Sequence, residues 1–449
     1  MAEEQEAVLN EAAAVAAKPS LWAGLRSFMS WRYLLAAGSA ALACGLIGAV
    51  FTWMLSAVEH AAFGFSTGTF AEAVTRIPAH HRFLTVCVAG PVVAAVWYFL
   101  RKRGPAIPSV AGLYAGKRIG FGWMAADTTL QVLNVALGGS IGREGAPRQA
   151  GALAAADVGA RLGLGEKPLR VLVACAAGAG LAAIYNVPFG GAIFALEIMI
   201  GLRALWSSKK DALVIMLWAL AISWLATLVA RIAIPDRPAY QIAWQGLDAS
   251  LVLMALLAGP LVGTLGFYFG ELVSRVSSLA PKDRSILWAM PVCYLLLALL
   301  AIPFPLILGN GHALAENLLR EDVPLGMAAL LVFAKPVATL LTVRAGATGG
   351  KLTPSLSTGA ALGTVLAAGC AMFLPVHVAM VAVLGAGAFL AGSLRAPLTA
   401  GVLAIELTGA DPAVWPLVAL AVAGTWATNL GLAALARRRE QTLPPKCLE

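Results

Sequence analysis

The stretch Gly139-Ser140-Ile141-Gly142-Arg143-Glu144-Gly145-Ala146-Pro147 lies between two apolar runs, Thr128 to Leu137 and Gly151 to Ala160. It is a glycine-punctuated loop that carries an acid and a base. A carboxylate at membrane depth is costly and marks a functional site by default. Glycine lets the backbone turn sharply and come close to a ligand. A helix that starts just after such a loop leaves its first amide hydrogens free, at the positive end of its dipole. The natural occupant of that place is an anion. The stretch therefore reads as a seat for which Glu144 and a permeating anion compete.

The rest of the chain supplies the membrane setting. Of 449 residues, 60% are hydrophobic and 12% are charged, and the mean hydropathy is +0.82. A soluble domain carries roughly twice that charged fraction, so the chain reads as an all-α polytopic membrane protein embedded in a lipid bilayer. The formal net charge of +9 is spread over short clusters: Arg101-Lys102-Arg103, Lys117-Arg118, Lys209-Lys210 and Arg437-Arg438-Arg439. Clusters of this kind flank spans on the cytoplasmic side and do not point to nucleic acid. Cys44, Cys87, Cys175, Cys293, Cys370 and Cys447 show no paired spacing, and most lie in apolar runs. That argues for packing, against a disulfide frame and against a metal site. The five histidines form no ligand pattern, and no metal or cofactor is expected. Residues 1–30 read as an interfacial helix with a disordered tip, lacking the basic start of a signal peptide. Residues 437–449 read as a short basic cytoplasmic tail.

Between them, residues 31–436 form the expected membrane domain. Apolar runs fall at 33–57, 83–100, 122–137, 169–182, 189–200, 212–234, 251–269, 286–306, 325–341, 356–373, 377–394, 398–407 and 415–435. A span needs ~20 apolar residues, and several of these are too short to cross alone. Short pieces broken by Gly and Pro imply tilted or discontinuous helices, tolerated at depth only where they are buried or line a cavity. An internal repeat reinforces this. Pro188-Phe189-Gly190-Gly191-Ala192-Ile193-Phe194-Ala195-Leu196-Glu197 matches Pro397-Leu398-Thr399-Ala400-Gly401-Val402-Leu403-Ala404-Ile405-Glu406. Upstream, Gly142, Ala146 and Gly151 match Gly350, Pro354 and Gly359 at nearly the same offset. Repeat 1 spans about 31–235 and repeat 2 about 245–436. A duplicated membrane domain with binding loops at the repeat interface is a transporter signature.

Four of these motifs, in order, resemble the CLC family of chloride channels and chloride/proton antiporters, in its prokaryotic form without CBS domains. Gly142-Arg143-Glu144-Gly145 resembles the external-gate motif. Tyr185-Asn186-Val187-Pro188 running to Glu197 resembles the segment after it. Gly346-Ala347-Thr348-Gly349-Gly350-Lys351-Leu352-Thr353-Pro354 resembles the third anion-binding loop, and Leu394-Arg395-Ala396-Pro397 running to Glu406 the following helix. The resemblance covers roughly Tyr33 to Leu435. It implies a CLC-type inverted repeat of many tilted helices, a homodimer with a pore in each subunit, and chloride held at helix N-termini. Glu144 becomes the gating glutamate and proton acceptor, flanked by Arg143 and Gly145. Lys351 and Leu352 offer backbone amides to the central ion. Gly104-Pro105-Ala106-Ile107-Pro108 is the best match to the first anion-binding loop. Burial penalises an ionised carboxylate and amide donors favour it, and a group balanced between the two can exchange protons.

The chain also departs from that pattern. Pro105 stands where the family has a serine hydroxyl, and proline has neither hydroxyl nor amide hydrogen to offer. In the family, proline there resembles nitrate-preferring members. Ile198 stands where the antiporters carry an inner proton-relaying glutamate, while Glu197, one position off, reads as a structural acid like Glu406. The inner tyrosine of the family has no match, since the last tyrosine is Tyr294. The expected function is transport of chloride or a related monovalent anion in exchange for protons. The alternatives are a passive gated anion channel, or a nitrate- or fluoride-preferring transporter of the same fold. An intramembrane enzyme is a distant one, since the chain has no His-Glu-x-x-His and no membrane Asp pair. The compact length suits a bacterial inner membrane.

Overall fold

The computed structural model describes residues 28–206, 209–240, 242, 246 and 249–442. The expected interfacial helix at 1–30 lies outside the described residues except for its last three, and so does 443–449 of the expected tail. The principal helices are α1 (Trp31–Phe63), α2 (Ala79–Arg103), α3 (Phe121–Ala136), α4 (Gly145–Arg161), α5 (Glu166–Tyr185), α6 (Pro188–Phe194), α7 (Lys209–Ala230), α8 (Ala249–Ser278), α9 (Ile286–Leu300), α10 (His312–Leu319), α11 (Leu325–Arg344), α12 (Leu352–Cys370), α13 (Val378–Leu394), α14 (Pro397–Thr408) and α15 (Trp415–Thr442). Among the described residues, seven helices are long and apolar enough to cross a membrane. The protein is an all-α polytopic membrane protein in which short helices stand among the long ones.

Element boundaries follow local chemistry. Ser30 starts α1, its Oγ accepting from Tyr33 N at 3.2 Å, and Gly64 ends it in the left-handed conformation. The apolar run 286–306 is one stretch in sequence but two elements in space. Helix α9 stops at Leu300, and a single 3-10 turn follows at Pro305–Ile307. Pro303 and Pro305 explain the break, because proline removes an amide donor and disfavours helix at the residue before it. At the far end α15 runs on to Thr442, so Arg437 to Arg439 lie on helical backbone, not in a free tail.

The core is made by helices that small residues allow to touch. Helix α5 is buried along almost its whole length from Val171 to Tyr185. Gly178 faces the carbonyl of Gly191 on α6, and Gly180 faces that of Pro147 on α4, with no room for a Cβ at either. Gly359 on α12 and Gly385 on α13 meet backbone to backbone in the same way in the second half. Such contacts hold helices together where lipid provides no hydrophobic drive between them. Leu34, Trp53, Val92, Leu261 and Phe333 point outward instead, as a bilayer-facing surface requires.

The two halves repeat each other in detail. Asn186 and Arg395 both sit at φ 56°, ending α5 and α13 in the left-handed region. The next residues, Val187 (φ −126°, ψ 70°) and Ala396 (φ −132°, ψ 82°), share one conformation, and each precedes the proline that opens a helix. The two motif glutamates then cap each other's helix. Glu197 Oε1 accepts from Leu398 N at 3.1 Å, and its Oε2 accepts from Thr399 N at 2.6 Å and Thr399 Oγ1 at 2.7 Å. Glu406 Oε1 accepts from Phe189 N at 3.0 Å, and its Oε2 from Gly190 N. Each carboxylate satisfies orphan amides at the positive end of a dipole. Replacing either by alanine should lower stability by about 1–2 kcal/mol, as loss of a strong cap does. Thermal unfolding of E197A and E406A in detergent measures this.

Candidate anion site at the crossing of the two halves

Two glycine loops meet at the centre. Helices α3 and α11 end in loops that begin with Gly138 (φ 99°) and Gly346 (φ 93°), conformations that only glycine adopts freely. The loops then pair. Gly142 N donates to Gly350 O at 2.7 Å and Gly350 N donates to Gly142 O at 2.8 Å, an isolated antiparallel bridge. A helix leaves each side of it: α4 with Glu144 at its N-cap, and α12 with Lys351 at its N-cap.

The Glu144 side chain is fully buried and folds back over this bridge. Its Oε1 accepts from Leu352 N, the first amide of α12, at 2.8 Å. Its Oε2 accepts from Tyr185 Oη at 3.1 Å, and that hydroxyl lies 2.6 Å from Thr353 Oγ1. A Cβ on Gly142 or Gly350 would overlap the carboxylate. Among the described residues, Glu144 makes no ion pair. The acid is held by one helix-end amide and one hydroxyl, which are donors that any small anion can use.

Positive charge surrounds the seat without neutralising it. The Arg143 guanidinium lies over the Tyr185 ring at 5.2 Å and donates weakly to Ile184 O at 3.4 Å. Arg148, one turn into α4, lies over the Phe194 ring at 5.0 Å and feels the Glu144 charge. The Nε of each arginine is buried with no acceptor. Lys335, fully buried on α11, donates to Ser140 Oγ at 2.8 Å, Ile307 O at 2.8 Å and Gly309 O at 2.9 Å. From the same face of α11, Thr342 Oγ1 accepts from Ser140 N at 3.1 Å. Lys335 thus clamps the first glycine loop, using neutral acceptors only.

Of the residues singled out in the sequence, the structure brings together Glu144, Gly145, Lys351 and Leu352, with Arg143 one layer outward. The Lys351 side chain turns toward Arg395 and Glu271. The loop Gly104 to Ile107 stands apart, with Pro105 and Ala106 exposed. Its tie to the seat is indirect: Gln149 on α4 donates to Pro108 O at 2.8 Å. Ile198 sits in a π-helical turn, Ala195–Ile200, partly buried against the apolar core. The sequence reading gave no role to Thr353, Lys335 or Arg148, and quoted Tyr185 only as the start of a motif. Arg148 did carry a signal, four residues after Glu144 and so on the same helix face. Tyr185 and Thr353 carried none.

Fold and site together define a helical membrane protein whose two repeated halves meet at a buried carboxylate. This chain belongs to the voltage-gated chloride channel family, whose sequence profile matches residues 87–429. It is similar to a ClcB-like protein of Ralstonia nicotianae, at 32% identity over 338 residues, covering 70% of this chain and 75% of that one. Its fold is similar to that of a slow cyanobacterial Cl−/H+ antiporter, with a TM-score of 0.76 at 22% identity, covering 92% of this chain and 99% of that one. A CLC-type fluoride/proton antiporter also shares the fold, with a TM-score of 0.66 at 22% identity, over 88% and 96% of the two chains.

The helix crossings make a sharp structural test. Gly180→Ala, whose added Cβ would overlap the Pro147 backbone on α4, should destabilise the protein by about 1–3 kcal/mol, the usual cost of forcing an added methyl into a filled site. Gly38→Ala, whose added Cβ meets open space, should cost nothing measurable. Thermal unfolding of the two variants compares them directly.

Proposed function

We propose that this protein moves chloride, or a monovalent anion of similar character, across the membrane in exchange for protons, with Glu144 as its external gate. The observation that carries this reading is the seat itself: a buried carboxylate, paired with no cation, takes the first amide of α12 at 2.8 Å. Ionised, Glu144 fills the place an anion would take. Protonated, it loses the charge that holds it there, swings out and admits the anion. Gly104, Pro105, Ala106, Ile107 and Arg143 are assigned to anion binding along the path, and the amides of Gly145, Lys351 and Leu352 to the seat. The anion is the ligand and no cofactor is required. The working unit is a homodimer with one pore per subunit, in a bacterial inner membrane. Its relatives are channels and antiporters, so transport and not catalysis is the activity assigned.

A second reading, a passive gated channel, is favoured by one observation. Ile198 occupies the place of the inner proton-relaying acid, and Glu197 beside it is engaged as a helix cap. Anion preference follows from Pro105, which offers no donor to the central ion, so chloride, nitrate and fluoride are to be compared.

Reconstituted liposomes separate these readings. An imposed chloride gradient should drive protons uphill, and chloride flux with no proton movement would establish the channel. Wild-type flux should rise as pH falls, because protonation releases Glu144. In Glu144→Gln, flux should lose its pH dependence and its proton coupling. A variant that keeps the wild-type pH response would remove Glu144 as the gate.

A further inference from the structure

Tyr185 is the last residue of α5 and is 5% exposed. It reaches the seat from the first half, opposite the α12 amide supplied by the second. The order of its hydrogen bonds is fixed by chemistry. An ionised carboxylate can only accept, so Tyr185 Oη must give its proton to Glu144 Oε2. That leaves the Tyr185 oxygen to accept from Thr353 Oγ1 at 2.6 Å. Thr353 is itself buried, at the second position of α12. A directed chain therefore runs from Thr353 to Tyr185 to Glu144. Asn186 beside Tyr185 holds the left-handed conformation, and the Arg143 guanidinium lies over the tyrosine ring at 5.2 Å.

When Glu144 leaves, two donors stay aimed at the place it held: Leu352 N–H and Tyr185 O–H. Both are buried, and a buried donor left without an acceptor is unfavourable. An anion in the seat satisfies both at once. We infer that the Tyr185 hydroxyl has two alternating partners, latching Glu144 in the closed state and binding the permeating anion as its side-chain ligand in the open state. Pro105 supplies no such donor, so Tyr185 is the side chain that reads the anion. This rests on Glu144 acting as the gate. The charged and titratable groups around Glu144 are Arg143 and Arg148 from its own segment, Tyr185 from α5, Lys351 at the start of α12 and Tyr240 after α7, with Glu59 of α1 acting on Arg143 and Glu316 of α10 on Tyr240. Of these, the test alters only Tyr185.

Tyr185→Phe keeps the ring and its contact with Arg143 and removes only the O–H. In the full-length protein carrying Glu144→Gln, which clears the carboxylate charge from the seat, chloride titrated into chloride-free detergent solution should bind about tenfold more weakly once Tyr185→Phe is added, the usual effect of losing one charge-assisted hydrogen bond. In the otherwise native protein, Tyr185→Phe removes a donor that favours the ionised gate. The midpoint of the flux–pH curve should then move up by about one unit. Thr353→Val should move it in the same direction by less, and stands in if Tyr185→Phe does not yield folded protein. Chloride affinity unchanged in the double variant, with an unmoved midpoint, overturns the inference and leaves the gate intact. Loss of the gate reading is seen separately, as a pH response that survives in Glu144→Gln alone.

Discussion

Everything at the centre of this protein depends on two backbone hydrogen bonds between Gly142 and Gly350, at 2.7 and 2.8 Å. They join segments that lie far apart in sequence, and they are the β-type pairing found among the described residues. Because the pair is mutual, each loop fixes the other's register. The start of α4 and the start of α12 are thereby brought side by side. Glycine is required at both positions for a direct reason: the Glu144 carboxylate rests where either Cβ would be. The same contact that closes the fold therefore shapes the seat.

The distribution of charge around that contact is lopsided in a useful way. Acids in membranes are usually paired, and here the half-buried Glu197 and Glu406 are consumed as caps on opposite helices. Among the described residues, Lys335, Arg143 and Arg148 form no ion pair with a carboxylate. Lys335 is satisfied by a hydroxyl and two carbonyls, which solvate its charge without cancelling it. Adding the dipole end of α12, the field at the seat favours negative charge. Glu144 is stable there for the same reason that a free anion would be. This shared basis makes the exchange of one for the other inexpensive, and an ion pair to Arg143 would have spoiled it.

The outline of the fold was legible because its breaks are written in glycine, proline and glutamate. The matched runs Pro188 to Glu197 and Pro397 to Glu406 announced a duplication, and the structure shows matched dihedrals ahead of both prolines. The central loop was legible because a Gly-Arg-Glu-Gly stretch has no ordinary role between apolar runs. Other parts of the site were silent. Tyr185 ends an alanine-rich helix, and nothing in its neighbours says that its hydroxyl meets Glu144. Lys335 stands in an apolar run with Pro336, and its three acceptors come from two distant loops. These contacts exist only through tertiary approach, which periodicity and local spacing do not encode. The split of the 286–306 run was readable in principle, since Pro303 and Pro305 sit inside it.

The π-helical turn at Ala195–Ile200 sets a limit on how protons travel. It ends at Gly201, and within it Glu197 is aimed outward at the start of α14. There the carboxylate accepts three hydrogen bonds, two from backbone amides. These bonds are the cap of α14, so the carboxylate is committed to holding that helix end. Glu197 is therefore engaged as a cap, and Ile198 beside it has no group that takes up a proton. Under the proposed exchange, a proton bound for Glu144 from the cytoplasm meets no acid at position 198. The Arg148 charge lies one turn from Glu144 and opposes such a proton electrostatically. On the proposed role of Glu144, the anion and the proton share one side chain but reach it through differently built surroundings.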